Sequence, residues 1–503
     1  MGFSFFLVFV ATFLLFIFLV SLYSLKLFFF DTKTTTSTGG KVPPGSLGWP
    51  IIGEGIAFYR AGKNGAPESF FFERIKKYSS NTFKTSLIGE SITVLCGAAG
   101  NEFIFANERK LVTIWLPPSI KKILNSNPNQ HQKSPSSGSA AGEDETKMYR
   151  KFSNHLVKLV NVGLIDTIAR KHFEENWENQ KEVTVYPLVK NYTFCLACWL
   201  ILSIDDRTRV EELSKLFGIV MAGLMSVPIN LPGTKFRRAI KAAKIVRKDL
   251  VTLIRQRKME LSTTSSFTME KKPLNKQDLL TQMILSGEDG EDNVMSETDI
   301  ADKILGLLLG GHEPPTVVIT CIMKHLAEHP EVYNEVLKEQ TDVIKSKAPG
   351  ELLNSDDIQK MKYSWNVACE SMRLATSSSG AFRQALSDFT YEGYHVAKGS
   401  KIYWSSLSTH KNPEYFPEPE KFKPSRFEGD GPAPFTYIPF GGGPRMCPGR
   451  EYAKLEILVF IHHAVIKYRW EKLLSGDDKL IFNPLPLPVQ GLPIRLHPHP
   501  TKK

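Results

Sequence analysis

The sequence predicts a mainly α chain with a minor β region, forming a single large domain behind an N-terminal transmembrane helix. Three observations carry that prediction. Residues 2–25, GFSFFLVFVATFLLFIFLVSLYSL, hold no charge, and at about 1.5 Å per residue they are long enough to cross a bilayer core of roughly 30 Å. Later stretches at 150–178, 207–222, 236–260, 296–328, 330–345 and 355–374 show the apolar spacing of amphipathic helices. Only short alternating runs read as strands, at 92–96 and at 389–404, the latter with a turn at Lys398-Gly399.

Taken in order, residues 1–30 form the anchor. A cleaved signal peptide has a shorter apolar core, a basic start and a small-x-small exit, and this segment has none of these. Lys26, Lys33 and Lys41 follow the span, which places the rest of the chain on the cytosolic side. Residues 31–50 are a linker, with a flexible TKTTTSTGG and then Pro43-Pro44-Gly45, which stiffens and turns the chain. Residues 51–503 are the globular domain. Apolar residues at 42% and charged residues at 23% suffice for a large core, and no fixed-period repeat points to a solenoid or propeller. The polar stretches 126–145 and 261–276 read as surface loops. A net charge of +11 suits nucleic acid, an anionic membrane or an acidic protein partner, and by itself does not choose among them.

Six cysteines in 503 residues exclude a dense disulfide framework. FCLACW (194–199) has CxxC spacing, but its neighbours are apolar and no second pair exists, so it reads as a buried helix. Asn191-Tyr192-Thr193 has the form of a glycosylation acceptor, which a cytosolic domain would not use.

The sharpest chemical signal is FTYIPFGGGPRMCPGREYAKLEILVF (435–460). A glycine-rich, proline-punctuated loop delivers Cys447 in front of a helix start, where backbone N–H groups and the helix N-terminus favour a thiolate. Arg445, two residues earlier, is placed to pair with an anionic ligand. Phe440, Gly443, Arg445, Cys447 and Gly449 give F-x-x-G-x-R-x-C-x-G, which resembles the haem-binding loop of cytochrome P450 enzymes. Upstream, ESMR sets Glu370 and Arg373 at i and i+3 on one helix face. FKPSRF (422–427) then supplies Arg426, which by resemblance completes the Glu-Arg-Arg triad of that family.

The stretches VTVYPLVKNYTFCLAC, SVPINLPGTKFRRAI and NPEYFPEPEKFKPSRFEGDG narrow the resemblance to plant triterpenoid-oxidising P450s, which include the amyrin and lupeol C-28 oxidases. The resemblance implies the P450 fold and a haem b whose iron takes the thiolate of Cys447, with Arg383 and Arg445 on the haem propionates and Phe440 and Gly449 shaping the loop. It further implies NADPH-cytochrome P450 reductase as electron donor, and a single pass through the endoplasmic reticulum membrane with the catalytic domain in the cytosol. The implied substrate is a pentacyclic triterpene, oxidised at C-28 through alcohol and aldehyde to acid. Membrane lipid is the further partner, and no nucleic acid is expected. The positive charge then suits the acidic reductase and cytoplasmic leaflet. Apolar pocket walls are expected at 111–121, 216–232, 305–313 and 376–382.

One helix departs from the family pattern. Ser296 and Asp299 make a capping start and Pro330 lies just past the end, giving a helix about 48 Å long. In resembling enzymes it crosses the distal face of the haem with Gly-Gly-His-Asp-Thr. Here Gly310, Gly311 and His312 fit, Glu313 stands for the aspartate and Pro314 for the threonine. Proline brings neither a hydroxyl nor an N–H. Thr316 lies about 200° round the helix from residue 314 and faces away from it if the helix is unbroken. Each interior proline typically costs about 3 kcal/mol, so Pro314-Pro315 predicts a break that frees the Gly310 and Gly311 carbonyls to hold water, with Glu313 as proton source. His312 reads as a hydrogen-bonding or packing residue rather than a haem ligand. Glu313, His312 and Thr316 are thus the distal catalytic candidates. Two alternatives stay open because the distal threonine is missing: an oxygen-independent haem-thiolate isomerase or dehydratase, and a catalytically weak haem-binding protein. Thr376-Ser377-Ser378-Ser379 also departs from the family, and bears on regiospecificity.

Overall fold

The computed structural model describes residues 2–31, 40–49, 53–87, 89–126, 161–224, 226–267, 278–285, 295–474, 479–482 and 485–500. Most of the expected loop 126–145, the first part of the expected helix 150–178 and part of the linker lie outside these residues. The chain divides into two compact units, one of Met1–Trp115 with Gly380–Ser408, the other of Leu116–Ser379 with Thr409–Lys503.

The first unit begins with α1 (Gly2–Asp31), an apolar helix whose Phe9, Phe13, Leu15, Phe16 and Phe18 are all exposed. Helices α2 (Gly55–Lys63), α3 (Ser69–Tyr78) and α4 (Gly97–Ala106) follow. A five-stranded sheet runs in the order Thr82–Leu87, Glu90–Leu95, Lys401–Trp404, Ala381–Ala385, Val112–Ile114. Phe70 and Phe71 of α3 are buried with Phe83, Ile92, Val94 and Tyr403, so alternate residues of the strands make a small apolar core. Arg74 covers the Phe70 ring and pairs with both oxygens of Glu54. The hairpin expected to turn at Lys398-Gly399 instead turns at Glu392-Gly393, between Phe389–Tyr391 and Tyr394–Val396. Both turn residues have positive φ, 47° and 76°, the geometry that keeps the right-handed twist of a two-residue hairpin. Gly399 serves the next turn, after which Lys401–Trp404 leaves to join the larger sheet.

The second unit is mainly helical, with a three-stranded sheet of Glu182–Thr184, Pro493–Pro498 and Tyr468–Lys472 and a two-stranded one of Leu480–Phe482 and Pro486–Pro488. Its main helices are α5 (Pro118–Leu124), α6 (Val162–Asn176), α7 (Val185–Leu202), α8 (Arg207–Leu224), α9 (Lys235–Phe267), α10 (Leu279–Leu285), α11 (Glu297–Glu328), α12 (Pro330–Lys345), α13 (Ser355–Lys360), α14 (Lys362–Leu374) and α15 (Arg450–Lys467). Helix α9 runs into the stretch read as a loop at 261–276, whose residues 268–276 lie outside the described residues. The expected helix 355–374 is two helices that part at Met361. The cause is tertiary. Glu339 of α12 accepts from the N–H groups of Tyr363 and Ser364 at 2.7 and 2.9 Å, satisfying donors that a new helix start leaves open. CxxC lies within α7, with Cys198 buried and Cys195 half-buried, as its apolar neighbours require. Helices α7 and α11 are long and apolar enough to cross a membrane, but most of each is buried inside the protein.

Asp166 of α6 joins α15 to the loop before α13. Its carboxylate meets His463 Nε2 at 2.5 Å, Arg170 Nε at 2.9 Å and the Leu353 N–H at 3.1 Å. Burial pushes the Asp166 pKa up, but His463, the backbone donor and Arg170 together hold it below the usual carboxylate range. A depressed folded pKa contributes stability that is fully present above the unfolded value of about 3.9 and is lost as pH falls through the folded one. Thermal unfolding scanned from about pH 7 to pH 3 should therefore show an acid limb that Asp166→Asn flattens, at a lower starting stability.

Helix α11 starts with the expected capping box: Asp299 N–H donates to Ser296 Oγ at 3.1 Å and Ser296 N–H to Asp299 Oδ2 at 3.3 Å. The break expected at Pro314-Pro315 does not occur. The helix continues through both prolines to Glu328. Packing overrides the local cost: Val317, Val318, Ile319, Ile322 and Met323 beyond the prolines are all buried, and the Thr316 hydroxyl donates to the His312 carbonyl at 2.7 Å. Thr316 Oγ1 also lies 2.7 Å from Thr193 Oγ1 of α7, so its hydroxyl is committed to the α7 side.

Candidate active site

The loop before α15 is shaped around its backbone. Gly441 and Gly443 take φ of 69° and 65°, which a side chain would strain. The turn brings the Cys447 N–H to the Phe440 carbonyl at 2.9 Å and the Met446 N–H to the Gly443 carbonyl at 3.1 Å. Gly449 then caps α15. Of the six cysteines Cys447 alone is exposed. Burial pushes the thiols of Cys96 and Cys321 to about 12 and those of Cys195 and Cys369 to about 11, so they stay protonated. The surroundings also raise Cys447 by desolvation, and the Gly449 N–H opposes that. Arg445 lies in the short turn Gly443–Arg445, two residues before the thiol, and Phe440 packs on the core of the second unit.

Helix α14 carries a buried ion pair. Arg373 reaches both oxygens of Glu370 at 2.7 and 2.9 Å, with neither side chain exposed. Arg426 Nε adds a 3.3 Å contact to Glu370 Oε1, and Arg373 also donates to the His410 carbonyl at 2.8 Å. The expected Glu-Arg-Arg triad is therefore assembled. Arg383 lies in the first unit, buried, with Nε 2.6 Å from Glu108 Oε2.

On α11, Gly306 and Gly310 lie one turn apart, and a Cβ at either would meet no described atom within 4 Å. This face is open and flat. The α7 side is filled instead: His312 stands edge-on to Phe194 at 4.9 Å and Phe217 at 6.1 Å, and its Nδ1 donates to the Leu308 carbonyl. Glu313, about 60° round the helix from Gly310, receives Lys190 Nζ at 2.5 Å, and His312 Nε2 lies 3.3 Å away. Burial would raise the Glu313 pKa, but His312 and the Lys190 charge outweigh it and bring the carboxyl down to about 2. Glu313 is thus held ionised. Lys190 was not singled out from sequence, although a lone lysine in the apolar run YPLVKNYTF is the signal of a charge that must find a partner.

A cytochrome P450 family model matches residues 43–496 of this chain. The chain belongs to the cytochrome P450 family. Among curated proteins it is similar to a β-amyrin 28-monooxygenase of Kalopanax septemlobus, 50% identical over 96% of this chain and 98% of that protein. A β-amyrin 28-monooxygenase of Vitis vinifera is 51% identical over 92% and 93%, and cytochrome P450 716A75 of Maesa lanceolata is 51% identical over 93% of each. Among solved structures, retinoic acid-bound cyanobacterial CYP120A1 superposes with a TM-score of 0.76 at 27% identity, covering 92% of this chain and all of that one.

Family and fold imply a haem ligated through a cysteine thiolate, and the donor set here fits one. This P450 offers a single exposed cysteine with a backbone N–H directed at its sulfur, in front of a helix N-terminus. A thiolate at this position would be a soft, anionic ligand of the kind that suits haem iron.

Proposed function

We propose that this P450 is a monooxygenase that oxidises a pentacyclic triterpene of the amyrin or lupeol type at C-28, through alcohol and aldehyde to acid. The observation that carries this reading is the exposed Cys447 in the F-x-x-G-x-R-x-C-x-G loop, in a chain about half identical, over nearly all its length, to proteins named for that reaction. Residues 1–30 act as a single-pass anchor in the endoplasmic reticulum membrane and 31–50 as a linker, with 51–503 in the cytosol. NADPH-cytochrome P450 reductase is the electron donor.

Haem bound through Cys447 supplies the oxygen activation; the residues of this chain bind, orient and deliver protons. Arg445 and Arg383 would hold the propionates, Arg383 with its charge already balanced by Glu108. The open face of Gly306 and Gly310 is the wall against which a rigid, flat polycycle lies. Its lack of side chains gives the width such a skeleton needs. Pro314 and Pro315 have no N–H, so the Gly310 and Gly311 carbonyls remain acceptors for water beside that face. Glu313 moves the proton. Lys190 holds the Glu313 carboxylate on the α7 side; when that ion pair opens, the Glu313 pKa rises, Oε1 takes a proton and the side chain turns the short arc to the Gly310 face. Thr316 and His312 position this acid from behind and do not meet the substrate.

Lys190→Met should therefore move the alkaline limb of the pH–rate profile, where the protonated acid is lost, up by roughly 1–3 units, the effect of losing a cation beside a carboxylate. Glu313→Gln should lower turnover and raise peroxide formed per NADPH. The function itself is tested by incubating microsomes containing this chain and reductase with β-amyrin, α-amyrin and lupeol. Oxidation at C-28 that requires NADPH supports it, and product at another carbon, or none from a protein with intact haem binding, overturns it.

A further inference from the structure

Helix α5, seven residues long, is too short to hold itself in water. Its position comes from what grips it, and two charged residues do so. Arg247 of α9 donates through Nε to Asp302 of α11 and through Nη2 to the Ile123 carbonyl. The same Asp302 carboxylate accepts from the Ser126 N–H and from its hydroxyl, each at 2.7 Å. The cation thus sits on the carbonyl end of α5, where the helix dipole is negative, and the anion takes the N–H just past that end. The two charged side chains are only 12% and 13% exposed, so salt screens the pair weakly.

The location gives this clamp a consequence for the reaction. Asp302 lies one turn before Gly306 and two before Gly310, on the same side of α11. Those glycines are the open face assigned above to the substrate, and α5 is held at its end. Ile123 is buried in the core, whereas Leu116 and Ile120 beside it stay partly exposed. Such a helix forms a wall whose placement depends on one ion pair joining three elements that are distant in sequence.

We propose that Arg247 and Asp302 are positioning residues for the substrate: their ion pair latches α5 in place as the end wall of the Gly306 and Gly310 face. Neither residue touches the triterpene. The inference rests on the triterpene reading, and its test separates the two.

The experiment uses haem-loaded, full-length protein carrying Asp302→Asn, Arg247→Gln, both together, or Arg247→Lys. Hydrogen exchange of the peptide covering 118–126 reports the latch directly, and titration with β-amyrin followed through the haem spectrum reports its consequence. Faster exchange is expected in both charge-removing variants, together with a β-amyrin dissociation constant raised roughly ten-fold, in line with the cost of a misplaced binding wall. The double variant should lose less than the sum of the two singles, since both remove the same ion pair. Arg247→Lys, which keeps the charge, should recover most of the affinity and guards against loss of folding in the others. Unchanged exchange, or losses that simply add, overturns the latch. A wild type that binds no β-amyrin overturns the substrate reading, while exchange at 118–126 still decides the latch.

Discussion

Cys447→Ser removes the thiolate and should lower triterpene oxidation by roughly three orders of magnitude or more, because the electron push that favours O–O cleavage comes from that sulfur. The same substitution should abolish the carbon monoxide difference band of a thiolate-ligated haem while leaving much of the fold intact. The loop around Cys447 is held by backbone bonds, the Cys447 N–H to the Phe440 carbonyl and the Met446 N–H to the Gly443 carbonyl, and serine keeps both. Replacing any of the other five cysteines with alanine leaves the band in place, since each is wholly or partly buried and lies outside the F-x-x-G-x-R-x-C-x-G loop. A full-strength band in Cys447→Ser would sink the assignment of the ligand.

Arg373→Ala should be the most damaging change outside the haem loop. It strands Glu370, fully buried, with only the 3.3 Å contact to Arg426 and the Lys423 N–H at 2.9 Å. Breaking a buried pair in this way costs about 3–5 kcal/mol, a large part of the stability of a typical domain. The His410 carbonyl loses its donor as well, along with the cation over the Phe416 ring. Little haem-loaded protein should accumulate, read as haem per polypeptide and as the thermal midpoint. Arg426→Ala should be milder, because its contact is longer and its side chain is 12% exposed.

Local patterns carried much of this fold. Apolar spacing located α8, α11 and α12 nearly to the residue, and the Ser296–Asp299 cap was readable because both partners lie within one turn. Glu370 and Arg373 were legible for the same reason, at i and i+3. What escaped is non-local. Lys190 and Glu313 are 123 residues apart in sequence, and Arg247 and Asp302 are 55 apart. No periodicity announces such pairs. The interruption at Met361 depends on Glu339 from another helix. At Pro314-Pro315 the local rule predicted a break, and burial of the following turns kept the helix whole. Angular position proved sturdier than propensity: Thr316 sits on the α7 side, as 100° per residue requires.

That helix leaves a sharp question, since the residue after Glu313 brings no hydroxyl. The most direct measurement is oxidation of β-amyrin by the reductase-supplemented protein under isotopically labelled dioxygen. The labelled oxygen should appear at C-28 of the alcohol, only when NADPH is supplied. Unlabelled product, or product formed without NADPH, would contradict the monooxygenase account and favour oxygen-independent chemistry at the same thiolate-ligated site.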